Sequence, residues 1–131
     1  MYNKIIIAGN LGRDPESRFT NNGKQVTSFP LAVNNPFKKD DNPMWVKVSM
    51  WGRMAEVCNE HLEKGRAVLV EGRLNYDADT GNPTTYKRKD GTTAAAFEMT
   101  ADNVVFMNIT ERKETTDRGG AYEVEDEDPP F

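Results

Sequence analysis

The sequence is poor in the residues that secreted and catalytic domains depend on. One of its 131 residues is cysteine, Cys58, so no intrachain disulfide framework can form and a reducing compartment is the expected setting. One is histidine, His61. Its place near Cys58 on one helical face suits core or boundary packing, and two potential ligands do not make a zinc site. No apolar run approaches the roughly 18 residues a membrane span requires. The opening Met1-Tyr2-Asn3-Lys4-Ile5 lacks the basic region, apolar stretch and cleavage site of a secretory signal. Asp14, Glu16, Asp40 and Asp41 are loop carboxylates with no neighbouring general acid or phosphate loop, so no catalytic constellation emerges. A cytoplasmic, nonenzymatic protein without membrane contact, metal or cofactor is expected.

The formal net charge of -4 hides a split along the chain. Residues 1–110 hold 14 Lys and Arg against 13 Asp and Glu, whereas residues 111–131 hold 3 against 8. A near-neutral domain over 1–110 is thus expected, with a flexible linker at 111–122 and an acidic tail at 123–131.

Within the domain the short periodic stretches read mostly as strands. Residues 3–11 are β-branched and end at Gly12-Arg13-Asp14-Pro15. Residues 26–33 form a second strand, in which Pro30 implies an edge or bulge because it cannot donate to a ladder. Residues 44–51 alternate strictly. From 53 to 64 the period lengthens to three and four, through Met54, Val57, Cys58, His61 and Leu62, with Gly65 placed as a C-cap. Residues 67–74 and 94–106 are again extended, separated by a long polar excursion with turns at Thr80-Gly81 and Asp90-Gly91. Strand, strand, strand, helix, strand, strand is the layout of an all-β, five-stranded Greek-key OB barrel with one short helix. A small α+β sheet with one covering helix shares that element order.

Parity within residues 44–51 is the most informative pattern. Val46, Val48 and Met50 fall on one face, and Trp45, Lys47, Ser49 and Trp51 on the other. Six residues at about 3.3 Å each separate the two indoles by roughly 20 Å, too far to stack on each other but suited to two stations along a polynucleotide. Phe37, followed by Lys38 and Lys39, adds a candidate third ring beside phosphate-contacting cations. Tyr86 opens the densest basic run, Tyr86-Lys87-Arg88-Lys89.

These residues resemble the bacterial single-stranded DNA-binding proteins of the replication machinery. The resemblance is carried by Asn3-Lys4-Ile5-Ile6-Ile7-Ala8-Gly9-Asn10-Leu11-Gly12-Arg13-Asp14-Pro15-Glu16, by Trp45-Val46-Lys47-Val48-Ser49-Met50-Trp51-Gly52-Arg53-Met54-Ala55-Glu56, and by Lys64-Gly65 with Val70-Glu71-Gly72-Arg73-Leu74. It implies base stacking on Trp45 and Trp51, with Phe37 near a further aromatic position and Tyr86 matched to a hairpin aromatic. Lys38, Lys39, Lys47, Arg53, Arg73 and Arg88 complete the expected DNA contacts. Asn75 and Asp77 stand where the family tends to be basic, and Val46 where some members have a subunit-contact histidine. A homotetramer, a nucleoid-associated location and roles in replication, recombination and repair are the family's implications.

Residues 123–128 hold five carboxylates and one apolar side chain, too little apolar surface to offset ordering, so a disordered tail is expected. Asp126, Asp128, Pro130 and Phe131 are the expected partner-binding residues, because an aromatic ring beside acids suits a basic-rimmed apolar pocket on a replication or repair protein. Two other readings compete on the sequence alone: a replisome interaction module with weak DNA affinity, and a small metal-dependent nuclease.

Overall fold

The structure is a computed structural model, and it describes residues 1–107. The expected linker and acidic tail, with Asp126, Asp128, Pro130 and Phe131, lie outside the described residues. The elements are β1 (Ile5–Leu11), β2 (Glu16–Phe19), β3 (Gln25–Val33), β4 (Met44–Trp51), α1 (Gly52–His61), β5 (Ala67–Leu74), β6 (Thr84–Lys87) and β7 (Thr93–Met107).

Five strands close a ring. β1 pairs antiparallel with β5 from Ile5↔Gly72 to Asn10↔Ala67, and its end turns onto β3 through Asn10↔Ala32 and Leu11↔Leu31. β3 pairs antiparallel with β4, β4 parallel with β7, and β7 antiparallel with β5. The order β1-β3-β4-β7-β5 and back to β1, with the helix between β4 and β5, is the OB barrel and not the open α+β sheet. β2 and β6 are additions to this ring, β2 extending β3 and β6 forming a hairpin with the start of β7.

Inward parity fills the barrel with Ile7, Leu11, Phe29, Leu31, Val46, Val48, Met50, Val68, Val70, Met99 and Ala101. Ala55, Cys58 and Leu62 of α1 join the same core. Thr27, fully buried on β3, ties the helix to the wall: its Oγ1–H donates to the Ala55 carbonyl at 2.7 Å. Burial also pushes the Cys58 thiol up to about 11, since a thiolate there would lose its water.

Pro30 sits inside β3, where the sequence favours an edge or bulge. Its carbonyl accepts the Gly12 N–H at 2.9 Å, so its missing N–H faces the β1/β2 side. On that side pairing with β2 ends at Ser28 and pairing with β1 starts at Leu31, leaving no ladder bond for proline to break. Two sequence expectations need correction. The helix ends at His61 with Leu62 as its C-cap, and Gly65, at φ 92°, belongs to the following turn, where its N–H donates to the Leu11 carbonyl. His61 is exposed beside Glu60, its imidazole 3.7 Å from that carboxylate, and does not pack at the core boundary.

Candidate nucleic-acid interface

The outward face of β4 is the centre of the site. Its residues alternate as the sequence requires: Val46, Val48 and Met50 are sealed in the core, while Trp45, Lys47 and Ser49 are half-buried and Trp51 is 48% exposed. Register lays out their neighbours. Arg18 on β2 lies beside Val26, which lies beside Trp51; Glu16, Ser28 and Ser49 form the next row. Pro30, Lys47 and Glu98 follow, and then Ala32 with Trp45.

A cleft of about 200 Å³ opens on this face among Arg13, Arg18, Lys47 and Tyr86, with Asp14, Glu16 and Glu98 also in its wall and Ser28 and Pro30 on its floor. Three cations thus meet three carboxylates. A polyanion would meet little net attraction there, so any affinity for one would have to draw heavily on apolar and aromatic contact. Tyr86 reaches the cleft because the β6–β7 hairpin pairs it with Ala94 on the parity that continues into Glu98.

Around the cleft the structure separates the remaining candidates. Phe37 is 91% exposed in the loop before β4. That loop is tied by polar bonds, Asn35 Nδ2–H to Asp41 at 3.0 Å and the Phe37 N–H to Asn35 Oδ1 at 2.9 Å, which leave the ring and the exposed Lys38 and Lys39 facing solvent. Arg88 stands at the hairpin tip, where its N–H donates to the Thr92 carbonyl at 2.7 Å. Asp90 accepts the Thr92 N–H and O–H, bonds that hold its carboxyl below the ordinary value and commit that charge to the turn. Arg73 sits beside Thr100 of β7, which neighbours Ser49, and it pairs with Asp102 at 3.4 Å.

Arg53 is not brought to the cleft. It lies in the first turn of α1, beside an open apolar groove of about 440 Å³ formed with Met54, Val57, Cys58, Val104 and Phe106. Sequence reasoning missed Arg13 and Arg18. Nothing signals Arg18 in the sequence, because Glu16–Phe19 is four residues with no apolar alternation and becomes a strand only beside its partner. Among the described residues no group of three or more His, Cys, Asp or Glu is placed to hold a metal ion.

Residues 2–107 match the family model described as the single-strand binding protein family. A single-stranded DNA-binding protein of Wolinella succinogenes is 38% identical over 104 residues, 76% of this chain and 64% of that protein. Single-stranded DNA-binding protein 2 of Chlorobaculum tepidum is 37% identical over 128 residues, 92% of this chain and 81% of the relative. The Oceanobacillus iheyensis single-stranded DNA-binding protein is 32% identical over 126 residues, 94% and 74% of the two chains. The chain spans somewhat under two thirds of the length of the Wolinella succinogenes and Helicobacter hepaticus relatives, 64% and 61%. With its closed five-stranded barrel and the matched span covering every described element, the chain belongs to the single-strand binding protein family.

Proposed function

We propose that this protein binds single-stranded DNA across the outer face of β3, β4 and β7, as a binding protein and not an enzyme. Bases stack on Trp45, Trp51 and Phe37, with Tyr86 beside the cleft, while Arg13, Arg18, Lys38, Lys39, Lys47, Arg73 and Arg88 steer phosphates. The observation that carries the reading is the division of β4: its core face is full, yet both of the chain's tryptophans stand on the opposite face with Lys47 between them. Every base offers a π-face, so sequence preference should be slight. Titration with oligo(dT) at two salt concentrations tests this directly: tryptophan emission should quench at both. Binding lost at moderate salt with emission unchanged would refute stacking.

The same proposal extends to replication, recombination and repair, with partner proteins recruited through Asp126, Asp128, Pro130 and Phe131. Its support is compositional: five carboxylates in 123–128 precede two prolines and a phenylalanine. Assembly as a homotetramer is proposed on a second surface. The outer side of β1, β5 and β7 carries Ile6, Val105 and Met107 at 57%, 46% and 38% exposure, with Ala8 and Leu69 in register between them. An apolar strip of that kind on a sheet whose β1 meets β3 only through Asn10 and Leu11 favours association with other copies. Light scattering giving a monomer mass across micromolar concentrations would reject it.

A further inference from the structure

We infer that Gly12 is the seat of the Trp45 ring and fixes the pose in which that indole meets a base; the inference rests on Trp45 being a stacking station. Gly12 does not have the left-handed φ that five other glycines among the described residues adopt, so backbone conformation does not demand glycine there. Space does. A Cβ on Gly12 would lie 2.5 Å from Trp45 Cζ3 and 2.7 Å from Cη2, the far edge of the six-membered ring, and 3.7 Å from Pro30 Cγ. Carbon atoms in ordinary contact sit about 3.5–4.0 Å apart, so the ring would have to move by about 1 Å.

The glycine has little freedom to retreat. Its N–H donates to the Pro30 carbonyl at 2.9 Å, which pins this backbone to β3, and Gly12 is itself buried. Trp45 is held at its other end by the ladder to β3, where Ala32, its register partner, is fully buried. The indole is therefore fixed at two points, the strand at its root and Gly12 at its distal edge, with Pro30 alongside. Among the described residues no glycine seats Trp51 in this way, and it is 48% exposed. Of the two rings, Trp45 is the preorganised one, whose ordering entropy is spent in folding and not in binding.

The test uses the full chain with Trp51→Phe, so that Trp45 is the only tryptophan. Adding Gly12→Ala should weaken oligo(dT) binding at least about five-fold, within the five- to 150-fold range of losing one stacked base. Trp45 emission should shift to the red and its quenching by DNA shrink. In a Trp45→Phe background, whose phenyl lacks Cζ3 and Cη2, the same glycine substitution should change affinity less than two-fold. Unchanged emission and affinity in Gly12→Ala, or equal losses in both backgrounds, would overturn the inference. Should Gly12→Ala alone fail to fold, recovery of folding by Trp45→Phe supports the seat, and failure of the double variant refutes it. A Trp45→Ala variant with full affinity would instead remove the stacking role on which the inference rests, while the emission shift would still report the seat.

Discussion

The two tryptophans of β4 should respond differently to truncation, and the difference follows from how each ring is seated. Trp51 is 48% exposed and beside Val26, so about half of the surface that Trp51→Ala removes is already solvated. Its stability cost should be about 1 kcal/mol, below that of the more buried Trp45. Trp45 is half-buried against Gly12, and removing it uncovers part of the β1–β3 junction. A fully buried tryptophan costs about 3–5 kcal/mol on truncation to alanine, so a half-buried one should cost about 2 kcal/mol. In a domain of about 100 residues each kcal/mol moves the midpoint by roughly 4–8 °C, so Trp45→Ala should melt about 8–16 °C lower and Trp51→Ala within about 8 °C of the parent. Both should lose about 1–3 kcal/mol of affinity for single strands. Circular dichroism melts and anisotropy titrations of a labelled oligo(dT), taken well below either midpoint, separate the two quantities. Equal destabilisation by the two substitutions, or Trp51→Ala with undiminished affinity, would refute the assignment of these rings.

Arg18→Ala and Lys47→Ala should each flatten the plot of log affinity against log salt by about 0.7, while Glu98→Gln should tighten binding at low salt and lose that advantage as salt rises; salt titrations of the three variants check the signs. The Cys58 thiol keeps its proton to about 11 when folded, against 9.0 for an ordinary thiol, so its contribution is fully present below pH 9 and is lost as pH climbs toward 11. Urea melts across that window should show a steeper alkaline loss than the Cys58→Ala variant, and parallel curves would refute it. An acidic tail of five carboxylates would compete with DNA for the domain's cations, so deleting residues 123–131 should tighten DNA binding at low salt and abolish partner pull-down, with Phe131→Ala losing only the partners; unchanged affinity on deletion would refute the competition, and partner binding kept by Phe131→Ala the recruitment.

The barrel and the two-faced division of β4 are legible because their signals are local. β4 alternates over eight residues without interruption, and β5 has the bounds its apolar run indicates. β2 was hidden because Glu16-Ser17-Arg18-Phe19 becomes a strand only through its pairing with residues 25–28 of β3. β6 was hidden in the same way, as four residues whose partner is the first part of β7. Arg18 therefore could not be placed, while Arg53, two residues after Trp51, turns away because the chain enters α1 at Gly52 with φ 69°. Gly65 misled for a related reason: its positive φ marks the turn that joins α1 to β5, three residues beyond the C-cap, where it bonds to the end of β1.

At β4 the barrel wall is a single strand thick, with Val48 filling the core on one side and Lys47 lining the cleft on the other. No intervening layer buffers one surface from the other. A tilt of this backbone to suit a ligand would be carried directly into interior side chains packed at near-crystalline density, where small displacements are resisted. If a polynucleotide binds here as proposed, adaptation would fall to it and to the parts of the rim outside the ring of strands, the Phe37 loop and the Tyr86 hairpin. Under the proposed function the barrel would then act as an anvil of fixed shape, and a single strand, unconstrained by a partner strand, would conform to it.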